Sequence, residues 1–104
     1  YSGDFAFGRF NLGNLYATLG QPQRAVENFK AAIQIDDQSY PAKVNLAMLH
    51  AQMGRNGEAE TLLRTSYETL KEDEGARPVY VEAARQRLLD LYASTGREKE
   101  AATL

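Results

Sequence analysis

Slid against itself by 34 residues, the sequence comes into register: Asn11 falls on Asn45, Leu12 on Leu46, Gly13 on Ala47, Leu15 on Leu49, Gly20 on Gly54, Ala25 on Ala59 and Phe29 on Leu63. A further shift of 42 puts Leu46 on Leu88, Leu49 on Leu91, His50 on Tyr92, Gly54 on Gly96 and Ala59 on Ala101. A repeat of this length restricts the fold to a stack of like units, because a unit this small cannot cover its own apolar surface and must bury it on a neighbour. The second period exceeds the first by eight residues, and the excess falls in the polar segment 71–78, where Gly75 suits the end of one helix and Pro78 the start of the next. That segment is read as a lengthened turn with longer flanking helices.

Inside each unit the apolar spacing is helical. Leu12, Leu15, Tyr16 and Leu19 share one face of a first arm, and the offsets recur at Leu46, Leu49, His50 and Met53 and again at Leu88, Leu91, Tyr92 and Thr95. Second arms follow, with stripes at Ala25, Val26, Phe29, Ala32 and Ile33 and at Ala59, Leu62, Leu63, Tyr67 and Leu70. Gly20, Gly54 and Gly96 sit just past the first arms, where a left-handed helix end costs glycine little. Pro22, Asn56 as an N-cap, and Ser39 before Tyr40 and Pro41 supply helix starts. The pattern predicts helices over 4–19, 22–36, 40–53, 56–71, 78–95 and 97–104.

These residues resemble the tetratricopeptide repeat family. Leu12, Gly13 and Tyr16 followed by Ala25 and Phe29 keep its L-G-x₂-Y and A-x₃-F spacing, with Arg9 in place of the Trp and Asp37 in place of the Pro. The second unit keeps Leu46, Ala47 and Ala59, with Lys43, His50 and Leu63 at the Trp, Tyr and Phe positions; the third keeps Leu88, Tyr92 and Ala101. The resemblance implies an all-α fold, a right-handed superhelical stack of antiparallel helix hairpins. It is expected to form a single domain over 1–104, with repeats near 6–39, 40–81 and a truncated 82–104. On this reading Leu12 and Leu46 are both core residues, each costing roughly 2–5 kcal/mol when cut to Ala. The chain opens on Tyr1 and ends at Leu104 inside a helical pattern, so it is expected to be a piece of a longer polypeptide. Phe5, Phe7 and Phe10 near the start, and Ala101, Ala102 and Leu104 at the other end, leave uncovered apolar ends through which self-association is expected.

The resemblance also implies a concave groove on the first arms that takes a peptide or partner protein. Carried over position by position, its lining is Phe7, Phe10, Asn11, Asn14 and Thr18, then Val44, Asn45, Met48 and Gln52, then Gln86, Arg87 and Asp90. Asn14, Asn45 and Arg87 fall on positions of the carboxylate clamp used by some members. Phe10 and Ala83 stand where the clamp lysines would be, so a groove framework without a clamp is the better fit. Phe7 and Phe10 read either as ligand anchors or, more simply, as a face for a preceding repeat, and Arg87 reads as a surface partner of Asp90 three residues on.

Little in the chain suggests chemistry. His50, the lone histidine, falls where the other units have Tyr16 and Tyr92, so a packing role explains it better than metal or acid–base work. Glu72, Asp73 and Glu74 lack the alternation of a calcium loop and read as a solvated turn. No phosphate-binding glycine loop or nucleophile elbow is present, and cysteine is absent, so no cofactor, metal or enzymatic role is expected. Twelve Lys and Arg against 14 Asp and Glu give a net charge of −2, without the basic excess of nucleic-acid binders. No apolar run approaches the roughly 18 residues of a membrane span. Compartment is left open. The expected function is a non-catalytic binding scaffold; the alternative is a spacer or self-association module of a larger enzymatic or redox protein. The units are also similar to those appended to bacterial multihaem cytochromes, though no C-x-x-C-H occurs.

Overall fold

A computed structural model describes residues 2–37 and 39–104; Tyr1 lies outside them. Six helices follow in order: α1 (Ser2–Thr18), α2 (Pro22–Ile35), α3 (Tyr40–Gln52), α4 (Asn56–Glu72), α5 (Pro78–Ser94) and α6 (Glu98–Ala101). They pack as sequential antiparallel pairs, α1 with α2 and α3 with α4, and α5 returns along α4. The predicted bounds hold to within two residues except at the last helix. It runs for four residues and loosens into turns, with Thr103 and Leu104 donating to the carbonyls three residues back.

Each first arm is closed in the same way. Gly20, Gly54 and Gly96 have φ of 73°, 79° and 73°. Beyond them the amides of Gln21, Arg55 and Arg97 donate to the carbonyls of Tyr16, His50 and Tyr92 at 2.9, 2.8 and 2.8 Å. This six-to-one bond satisfies a carbonyl the helix end would otherwise orphan, and it folds the chain straight into the second arm. The second arms start without a side-chain cap: Pro22 occupies the first turn of α2, and Asn56 is the first helical residue of α4 rather than its N-cap, which is Arg55. Ser39 is at the N-cap of α3 but makes no capping bond.

All eight inserted residues are accounted for by these elements. Relative to the preceding pair, α4 gains three residues over α2, α5 gains four over α3, and the turn between them gains one. The added turn of α5 carries Tyr80 to Tyr40, ring centroids 5.6 Å apart, and so ties the start of α5 to the start of α3.

Two clusters form the core. Ala25, Val26 and Phe29 of α2 close over Leu46 and Leu49 of α3. The larger cluster runs from Val44 and Ala47 through Ala59, Leu63 and Tyr67 to Ala84, Leu88, Leu91 and Tyr92, and Leu62 packs against both. Within the first hairpin the arms meet at Gly13, where an added Cβ would lie 2.6 Å from the Phe29 ring. The same two positions in the second hairpin hold Ala47 and Leu63, a larger residue facing a smaller one.

One expectation fails here. Leu12, Leu15 and Leu19 are 40, 52 and 58% exposed, whereas Leu46 and Leu49 are buried. The side chains that cover Leu46 and Leu49 belong to the preceding second arm, and among the described residues no helix packs over the same side of α1. Leu12 is therefore exposed here rather than buried as expected.

The third position of the motif is occupied differently in each unit. Tyr92 is fully buried; its hydroxyl donates to Glu60 Oε1 at 3.0 Å while the guanidinium groups of Arg64 and Arg97 lie over its ring at 5.6 and 4.9 Å. His50 is 2% exposed, with Nδ1 3.4 Å from the Glu58 carboxylate and no hydrogen bond to it. Burial pushes its pKa below the ordinary 6.5; the Glu58 charge opposes this, and Arg55 and Lys30 add to it.

Two outcomes follow from the packing. Leu46→Ala should cost about 2–5 kcal/mol in urea denaturation at low protein concentration, and Leu12→Ala well under that. Gly13→Ala should destabilise through the ring of Phe29, by ~1–3 kcal/mol less ~1 kcal/mol of helix gain. Adding Phe29→Leu, which copies the second hairpin, should recover part of the loss in a double-mutant cycle, and strict additivity would disprove the coupling.

The fold also favours the neutral imidazole of His50. As the pH falls below about 6.5 the unfolded chain takes up this proton first, so stability declines with falling pH until the lower native pKa is passed. His50→Gln should therefore lose less melting temperature than the parent between about pH 7.5 and about pH 5.5. Parallel slopes for the two proteins would exclude this role.

Candidate functional site

The first arms α1, α3 and α5 share one side of the molecule, and two adjoining hollows lie between them. One, of about 210 Å³, is lined by Asn14, Ala17, Phe29, Asn45, Met48, Leu49 and Gln52. The next, of about 300 Å³, is lined by Ala47, Met48, Ala51, Leu63, Arg87, Asp90, Leu91 and Ser94. Met48 stands between the two as a shared wall. Six of the twelve residues expected in a groove thus come together: Asn14, Asn45, Met48, Gln52, Arg87 and Asp90.

The polar groups of this face are tied to one another. Asn45 Nδ2 donates to Asn14 Oδ1 at 2.8 Å, a bridge from one hairpin to the next. Asp90 accepts from Gln86 at 2.9 Å, not from Arg87 as its position on the helix suggested. Arg87 instead reaches across to the sulfur of Met48 at 2.8 Å, which joins α5 to α3 over the second hollow. Its guanidinium is exposed and keeps donors facing outward.

The remaining expected residues lie elsewhere. Val44 is 5% exposed and belongs to the core, so its side chain does not line the groove. It points inward because it lies three residues before Ala47, on the flank that packs against α4 and α5 and away from Leu46. Phe10 is half-buried against Phe29, ring centroids 6.1 Å apart, and Phe7 stands outside it, exposed, at 6.5 Å. Asn11 and Thr18 are exposed beyond the first hollow, with the Thr18 hydroxyl donating to the Asn14 carbonyl at 2.9 Å. Ala17 and Ala51, which the sequence reading passed over, are what leave the two hollows open. Their signal was available, since they coincide under the 34-residue shift.

A separate cavity of about 640 Å³ opens on the other side, between α2 and α4. Lys30, Ile33 and Gln34 form one bank, Gly57, Glu58, Thr61 and Leu62 the other, and Leu46 and His50 the floor. Its lining is mainly apolar, and nothing in the sequence pattern pointed to it. Among the described residues no three His, Asp or Glu side chains are grouped as a metal ion would need, and no helix is long and apolar enough to cross a membrane.

No curated protein matches the chain. The tetratricopeptide repeat family matches over residues 16–77, more than half of the 104 residues. That span runs from Tyr16 through the second hairpin and the lengthened turn, and it contains the glycine-closed arm ends at Gly20 and Gly54. With its helices paired in sequence and its arms closed at matching glycines, the chain belongs to the tetratricopeptide repeat family.

Proposed function

We propose that the chain is a non-catalytic docking module that holds an extended segment or helix of a partner protein against α1, α3 and α5. Members of this family typically serve as protein-interaction modules. The observation that carries the reading for this chain is the pair of adjoining hollows that share Met48. A continuous ligand can seat one apolar side chain in each, with the flexible thioether of Met48 adjusting between them. Asn14, Asn45, Gln52 and Arg87 then supply donors and acceptors for the ligand backbone or a carboxylate group. Since Asn45 already donates to Asn14, and no lysine accompanies Arg87, the set recognises a main chain better than it neutralises a terminal carboxylate.

The experiment is affinity capture from source-cell lysate with the parent protein and with the triple variant Asn14→Ala, Asn45→Ala, Arg87→Ala. Removing Asn14 and Asn45 together leaves neither amide without its partner, so the helical circular dichroism should be unchanged. A partner held by the parent and lost by the folded triple variant is the expected outcome. Partners held equally by both would sink the groove reading.

A further inference from the structure

The cavity between α2 and α4 arises where the first junction of the stack departs from the second. Shifted by 42 residues, Leu46, Glu58, Thr61 and Leu62 of its lining fall on identical residues, and Gln34, shifted by 34, falls on Glu68. The remaining four positions all fall on larger side chains: Lys30 on Arg64, Ile33 on Tyr67, His50 on Tyr92 and Gly57 on Lys99. At the second junction the Tyr67 and Tyr92 rings are buried, and the Arg64 guanidinium lies over Tyr92. At the first, the smaller set leaves about 640 Å³ open.

This space has a polar end and an apolar end. His50 is 2% exposed, and its Nδ1 has no hydrogen-bond partner although the Glu58 carboxylate stands 3.4 Å away. Glu58 belongs to the α4 bank, so Nδ1 is turned to the cavity side of the imidazole. A carboxylate beside Nδ1 favours the tautomer that carries its hydrogen there, which makes it a buried donor without an acceptor. The charges that reach it are two cations, Lys30 and Arg55, and one anion, Glu58. One turn along each helix the walls become apolar, with Ile33, Leu46 and Leu62. The lining covers residues 30–34, 46–50 and 57–62, about 6–8 Å of each helix. That is too short for a partner helix or extended segment to lie along. The volume falls among those of small-molecule pockets, which are mainly apolar with a few polar groups.

We infer that this cavity binds a small amphipathic carboxylate, whose apolar body lies along Ile33, Leu46 and Leu62 and whose carboxylate accepts from His50 Nδ1 and pairs with Lys30. Such a ligand supplies the acceptor that Nδ1 lacks and displaces Glu58, whose side chain is 60% exposed and free to turn into solvent. A cationic head meets Lys30 and Arg55, and an uncharged one leaves their excess positive charge without a counterpart. The site shares no lining residue with the two hollows of the proposed groove.

Naphthoate serves as the probe, with naphthylmethanol and naphthylmethylammonium as its uncharged and cationic counterparts, titrated into the whole chain and followed by heteronuclear NMR. Naphthoate should give saturable shifts at the amides of 30–34, 46–50 and 57–62 and raise the melting temperature, since only the folded chain has the site. Lys30→Gln should weaken its binding about fivefold or more, whereas Glu58→Gln should tighten it. An added Cβ at Gly57 meets nothing within 4 Å, so Gly57→Leu should fill the cavity and abolish binding while the melting temperature of the free protein holds or rises. Shifts absent from these amides or confined to the exposed apolar side of α1, naphthylmethanol bound as tightly as naphthoate, or a Gly57→Leu variant that binds unimpaired would each overturn the inference. The groove variants leave this cavity untouched, so the two readings stand or fall separately.

Discussion

The close crossing of the two arms inside each hairpin sets the rest of the architecture. At Gly13 the backbone of α1 rests directly on the Phe29 ring, and in the second hairpin Ala47 and Leu63 fill the same space with the bulk moved from one side to the other. Interiors pack at crystal-like density, so the sum of the two volumes is constrained more tightly than either residue alone. Ala25 and Ala59, both fully buried, hold the neighbouring crossing close in the same way. Because the arms lie this near, their remaining apolar residues project outward along the stack. They must then be covered by the next hairpin, and the fold grows by addition rather than by closing on itself.

The two junctions of the stack solve that covering problem with different chemistry. At the second, Glu60 of α4 accepts from the Tyr92 hydroxyl and pairs with Arg97, while the guanidinium groups of Arg64 and Arg97 both lie over the tyrosine ring. At the first, the equivalent of Glu60 is Val26 and the equivalent of Tyr92 is His50, so neither half of that network exists. His50 is buried with Nδ1 short of a hydrogen bond, and the space beside it is the cavity between α2 and α4. A buried polar atom left without a partner weakens a contact more than its small size suggests. The eight added residues work in the opposite direction at the second junction, where they lengthen α4 and α5 and bring Tyr80 to Tyr40.

Most of this was legible from repetition and spacing, for a physical reason: the properties that make a repeat visible in sequence are the ones that recur in every hairpin. Glycines at the arm ends, small residues at the crossing and leucines at the junctions are local or nearest-neighbour requirements, and a shift of the sequence against itself exposes them. What escaped depends on what is absent from one copy. Leu12 and Leu46 are the same residue in the same motif, yet among the described residues only Leu46 has a second arm packed over it, and no periodicity records that difference. The lining of the two hollows was half legible for a related reason. Asn14, Asn45, Met48, Gln52, Arg87 and Asp90 follow the first-arm register and come together. Val44 instead joins the core with α4 and α5, whereas its equivalent Phe10 is only half-buried, against Phe29. The Arg87 contact with Met48 spans two helices and has no counterpart in sequence spacing, whereas the pair it displaced, with Asp90, is the one a single helix suggests.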